Sequence, residues 1–127
     1  MARYLGVDLH RNNFTVCTIA ENGRRYFREY GIHSLNHFAG RLRPTHQLAV
    51  DVSTTTRLFF NAVAPHVERV AVVNSSEFDV IRKSVKKTDR NDAETLALFL
   101  SKGLLPEVRM KDKLHAELAS LIQTPAT

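Results

Sequence analysis

The sequence holds a single cysteine, Cys17, which excludes an internal disulfide framework and any multi-cysteine zinc site. Set in an apolar run, Cys17 reads as a small core residue. Glycine and proline are sparse, five and four in 127 residues, and no segment is repeated or low in complexity, so neither a fibrous nor a disordered chain fits. Long apolar runs are missing too. Asp8, His10 and Arg11 interrupt the opening stretch, which therefore lacks the continuous run of a signal peptide, and nothing later is long enough to cross a bilayer. The expectation is a cytoplasmic protein with no membrane partner. What is in excess is positive charge, +5 overall, which suits a polyanionic partner and also serves solubility in general.

The length suits one compact domain with one core. Tyr4 to Leu9 and Phe14 to Ala20 are short β-branched, aromatic and aliphatic runs separated by polar residues, a hairpin pattern. Asn22-Gly23 favours a tight primed turn, after which Arg24 to Tyr30 returns as a third strand. Ser34 can cap a helix to about Leu42, ended by Pro44. Gln47 to Val52 reads as a buried strand, and Ser53 or Thr54 opens a helix whose Leu58, Phe59, Ala62 and Val63 share one face before Pro65. Val67 to Val73 is a further strand, and helical character returns at Glu77 to Val85. Thr88 can cap a stronger helix with Ala93, Leu96, Ala97 and Leu100 as its core stripe and Gly103 as its stop. Leu104 to Val108 is a short apolar connector, and Leu114 to Ile122 a last amphipathic helix whose apolar face suits a second copy of the chain or a further domain. The sum is an α/β fold with a mixed sheet, three antiparallel strands followed by parallel ones and flanked by helices, with the first and fourth strands central.

Two acids fall at strand ends, Asp8 after Gly6-Val7 and Asp51 after Leu48-Ala49-Val50, and the carboxyl ends of adjacent strands are where α/β sheets gather ligands. Asp89 and Asp92 stand three apart at a helix start, so their Cβ atoms lie about 5–6 Å apart on one face and repel. The helix dipole offsets part of this; Mg²⁺, which prefers oxygen ligands, would offset far more. Four acids could hold two such ions about 3.5–4 Å apart, the arrangement that serves phosphodiester cleavage. Singly, Asp8 or Asp51 is more often a turn former or cap, and Asp89 and Asp92 are ordinary partners of the helix dipole. Arg82, Lys83, Lys86, Lys87 and Arg90 crowd the segment around this pair, as a phosphate backbone would require, or as a solvated helix face would. His10 and Arg11, just past Asp8, could touch phosphate or simply occupy a turn. His33 and His37 have a two-histidine spacing without other evident ligands nearby.

Together these residues resemble the amino-terminal domain of the DEDD-type transposases of insertion sequence 110 and the Piv-like invertases. The resemblance runs from Gly6-Val7-Asp8 through Ala64-Pro65-His66-Val67 and Lys87-Thr88-Asp89-Arg90-Asn91-Asp92-Ala93 to Gly103-Leu104-Leu105-Pro106-Glu107-Val108, nearly the whole chain. It implies a RuvC-like, ribonuclease H-like fold over residues 1–110, with 111–127 starting a helical linker to an absent carboxy-terminal domain. It further implies Asp8, Asp51, Asp89 and Asp92 as catalytic ligands of Mg²⁺, with Mn²⁺ as a substitute, acting on DNA during transposition. Asp51 stands where the family prefers Glu, one methylene longer. The family's carboxy-terminal domain supplies a serine thought to act as nucleophile, in a context that neither Ser101 nor Ser120 matches, and a structured bridge RNA directs recombination. The resemblance therefore implies a metal-dependent recombinase domain, inactive alone, with DNA, a bridge RNA and further copies of itself as partners. Two other readings remain open: a non-catalytic nucleic-acid-binding and dimerising fragment, and an actin-like ATPase or sugar-kinase lobe, whose opening strand-Asp-turn-strand is similar to Tyr4 to Val16 but whose phosphate turn would carry small residues.

Overall fold

The computed structural model describes residues 3–51, 55–83 and 89–108, with 89–91 as backbone alone. Strands β1 (Arg3–Leu9), β2 (Asn13–Ile19) and β3 (Arg25–Gly31) form the expected antiparallel meander. Strands β4 (His46–Asp51) and β5 (Arg69–Val73) run parallel to β1, and the short β6 (Glu107–Val108) closes the far edge antiparallel to β5. The order is β3-β2-β1-β4-β5-β6, so β1 and β4 form the central pair. This mixed sheet with helices on both faces is ribonuclease H-like.

Alternation along the strands explains the two layers. Leu5, Val7 and Leu9 of β1 and Leu48 and Val50 of β4 face helices α1 (Leu35–Gly40) and α2 (Thr56–Val63), where Phe14, Tyr30, Phe38 and Phe59 pack stacked or edge-on with ring centroids 5.0–6.1 Å apart. The intervening residues, Gly6, Ala49, Ala71 and Val73, face α3 (Ser75–Arg82) and α4 (Asp89–Lys102). Ala93, Leu96, Ala97 and Leu100 are all buried, and Gly103, at φ +69°, ends α4 as expected. Cys17 lies under α4, and burial, followed by Glu94, pushes its thiol up to about 12 against a smaller lowering by Arg25. It is the inert core residue the sequence suggested. Among the described residues no helix is long and apolar enough to cross a membrane.

Several local expectations need correction. The turn before β3 is not a primed two-residue turn, because Asn22 does not adopt positive φ. Instead the Gly23 amide donates to the Ala20 carbonyl and the Ala20 amide to the Arg24 carbonyl, with Gly23 at φ +84°, a three-residue loop. Ser34 makes no capping hydrogen bond, because it closes a 3₁₀ turn over Ile32–Ser34, and α1 stops at Gly40, where the Arg41 and Leu42 amides turn to the Phe38 and Ala39 carbonyls three residues back. Helix α2 begins at Thr56, and its Leu58 is exposed while Phe59 and Val63 carry the contact. Helix α3 begins at Ser75 rather than near Glu77, because Asn74 caps it by accepting from the Glu77 amide at 3.1 Å. The stretch ending at Val108 is not merely a connector: β6 finds a partner in β5, fixed by an Arg69–Glu107 ion pair. Ser53, Thr54, Val85, Thr88 and the helix expected at Leu114 to Ile122 lie outside the described residues.

Candidate metal and nucleic-acid site

Gly6 sets the depth at which α4 rests on the sheet. A Cβ built there would lie 2.0 Å from the Ala93 carbonyl oxygen and 2.5 Å from the Ala97 amide nitrogen. Only glycine in mid-strand admits the helix backbone so closely. This contact brings the first turn of α4, carrying Asp92, down beside the carboxyl end of β1. Sequence reading took Gly6 merely as part of an apolar run; the available signal was a lone glycine inside a strand pattern.

Asp8 and Asp51 share the α4 face, two residues beyond Gly6 and Ala49. In the parallel pairing of β1 with β4, Val7 opposes Val50, and the next step along both strands is Asp8 and Asp51. Neighbouring strands lie about 4.8 Å apart, so the two acids occupy adjacent strand ends as expected. The Asp8 carboxylate is 3.2 Å from His10 Nε2 across the β1–β2 turn. One oxygen of Asp51 accepts from Ser75 Oγ at 2.7 Å, and its backbone carbonyl accepts from Thr56 Oγ1 at 3.3 Å, tying the strand end to α3 and α2.

Between the carboxylates lies Arg82. Its Nη1 is 3.9 Å from Asp51 Oδ2 and 3.6 Å from Asp92 Oδ2, its Nη2 is bonded to Asp79, and its guanidinium sits 5.6 Å over the Phe78 ring. The Asp79 hydrogen bond raises the pKa of Arg82, burial opposes this, and the charges of Asp79, Asp92 and Asp51 add to the rise. Asp51 and Asp92 side chains are only 20% and 18% exposed, so this cation neutralises charge that solvent reaches poorly. Sequence reading placed Arg82 on a basic face; the structure turns it inward. Ser75, Asp79 and the cap Asn74 were also missed, although Asn74-x-x-Glu77 carries the helix-start spacing.

The structure thus brings Asp8 to His10, and Asp51 to Asp92 through Arg82. Asp89 opens α4 one turn before Asp92, with its side chain outside the described residues, as are the Arg90 side chain and all of Lys86 and Lys87. Arg11 is exposed on the β1–β2 turn and Lys83 at the end of α3. Among the described residues no three His, Cys, Asp or Glu converge closely enough to hold a metal, so His33 and His37 gain no third ligand there. The donor set at the strand ends nonetheless suits a hard divalent cation, since it offers carboxylate oxygens and already holds one cationic group between two of them.

A family profile of DEDD transposases of insertion sequence 110, described as "Transposase", matches residues 5–126. No curated protein matches the chain.

Proposed function

Because the chain belongs to the DEDD transposase family of insertion sequence 110, we propose that this transposase domain takes part in Mg²⁺-dependent DNA strand cleavage and transfer, with Asp8, Asp51, Asp89 and Asp92 holding the metal. The observation that carries the reading is the meeting of Asp51 and Asp92 on one cationic group, beside the strand end that bears Asp8. When bound, Mg²⁺ or its substitute Mn²⁺ supplies neutralisation of phosphate charge and activation of a nucleophile.

The chain's own residues do the rest. Arg82 balances Asp51 and Asp92 and, when a metal takes over that task, presents a planar donor fork to a phosphodiester. His10 holds the Asp8 carboxylate, and Ser75 fixes the rotation of Asp51 by donating to one oxygen and leaving the other toward the cleft. That bond supports Asp51 in the position where the family prefers Glu. Lys83, Lys86, Lys87 and Arg90 on one side, and Arg11 on the other, are assigned the flanking phosphates of DNA.

Ser101 donates to the Leu98 carbonyl at 2.6 Å near the end of α4 remote from Asp92, and so is not assigned as the nucleophile. In this reading that serine comes from a carboxy-terminal domain, and residues 1–127 bind metal and nucleic acid without complete recombination. A structured bridge RNA as guide and self-association are part of the same reading.

Calorimetric titration of the full chain with Mn²⁺ tests it. Binding is expected, and it is expected to disappear in Asp8→Asn and in Asp92→Asn while both variants keep their melting cooperativity. Unchanged affinity in both variants would sink the metal assignment.

A further inference from the structure

The acids occupy the carboxyl ends of β1 and β4; the other ends of the same strands carry the opposite charge. A cavity of about 280 Å³ there is lined by Arg3, Arg28, Arg41 and His46, with Tyr26 and Tyr30 on one wall. An adjoining cavity of about 490 Å³ shares Arg3, Arg41 and His46 and adds Arg43. Among the described residues neither is lined by a carboxylate. Among the described residues none of Arg3, Arg28, Arg41 and Arg43 is in an ion pair, whereas Arg25, Arg69 and Arg82 are paired with Glu94, Glu107 and Asp79. Four guanidinium groups lacking an acid partner, gathered from β1, β3 and the α1–β4 loop, make a continuous positive trough.

His46 registers this field. Burial first, and then Arg3 and Arg43, hold its imidazole below the ordinary value, and its Nδ1 accepts from the Arg43 amide at 3.2 Å. Two adjoining cavities share Arg3, Arg41 and His46, so their cations can meet successive phosphates. Tyr26 is 49% exposed on its wall, an aromatic face beside the arginines. Arg28 already stacks 5.3 Å over the Tyr30 ring. Basic residues that track a backbone beside an open aromatic face are the combination that binds unstacked strands; a duplex keeps its bases stacked inside.

We propose that this trough is a second nucleic-acid site, which binds single-stranded nucleic acid with Arg3, Arg41 and Arg43 on phosphates and Tyr26 stacked on a base. It stands on the trough alone and does not rest on the metal reading. Five residues of strand separate Arg3 from Asp8, roughly 17 Å, so one phosphate cannot serve both ends.

Fluorescence anisotropy of a labelled oligothymidylate with the full chain tests the site. Arg41 and Arg43 are exposed, so replacing both by Gln should leave the melting temperature unchanged. The double variant is expected to bind more weakly, with a plot of log affinity against log salt shallower by about 1.4, two single-strand phosphate contacts. Tyr26→Ala is expected to weaken binding roughly fivefold or more with the salt slope unchanged, since stacking releases no counterions. Unchanged affinity and slope in the double variant would overturn the site. A duplex of the same length whose affinity falls as much in the double variant, or displacement of the strand by low inorganic phosphate, would overturn the single-strand assignment. Asp92→Asn is expected to leave this binding intact, which separates failure here from failure of the metal site.

Discussion

At the scale of single residues, Arg82 holds together the acids that a metal would otherwise have to reconcile. Its guanidinium lies within 4 Å of Asp51 and Asp92 while bonded to Asp79, and all three carboxylates lose that partner when it is removed. Arg82→Gln is therefore expected to cost about 1.5–3 kcal/mol, the usual worth of hydrogen bonds to charged groups. The loss should be seen as a lower melting temperature in chelator and should shrink in Mg²⁺, because a divalent cation restores the missing charge. Equal losses in both buffers would mean that Arg82 acts only through packing on Phe78. The acids themselves were legible in the sequence, since strand-end and helix-start positions can be read from periodicity. Their partner was not: Arg82 meets Asp51 only because α3 folds back over the end of β4, and one-dimensional spacing does not give the side to which a helix returns.

At the scale of elements, the sheet was legible because its central strands are short apolar runs, buried on both faces and bounded by polar turns, and α4 because its stripe and its closing glycine agree. The shorter elements were less so. Leu58 continued the apolar pattern of α2 but faces water, since the buried line of the helix runs through Thr56, Phe59 and Val63. β6, two residues long, has no period to read and exists because β5 offers an edge. The decisive contact between elements is that of α4 with β1, and Gly6→Ala tests it. The added methyl would overlap the backbone of α4 at Ala93 and Ala97, neither of which has a flexible end to move aside. A loss of about 1–3 kcal/mol or more is expected in chemical denaturation, as for overpacked cores. Mn²⁺ affinity should fall with it, because Asp92 rides on the displaced turn. A Gly6→Ala protein of parental stability and affinity would show that α4 is not held at this depth.

At the scale of the whole molecule, charge is polarised along the central strands, with carboxylates at one end and a basic trough at the other. The net charge was compatible with an anionic partner or with solubility alone, and it could not divide eighteen basic residues among the faces of the fold. The basic end has a consequence for folding. His46 is kept neutral by burial and by Arg3 and Arg43, with Arg41 and Arg28 lining the same cavity. In the unfolded chain it takes its proton near the ordinary value of 6.5, whereas in the fold it resists until lower pH. The unfolded state therefore binds more protons in that window, and His46 makes stability fall as pH drops through 6.5 until the lowered native value is passed. Denaturation measured at about pH 7.5 and about pH 5.5 is expected to show a smaller acid loss in His46→Gln than in the parent, the difference isolating this group from the carboxylates. A nucleic-acid strand in the trough should oppose the effect, since its phosphates favour the imidazolium and so tighten binding as pH falls. If His46→Gln loses as much stability as the parent, the trough does not impose its potential on His46.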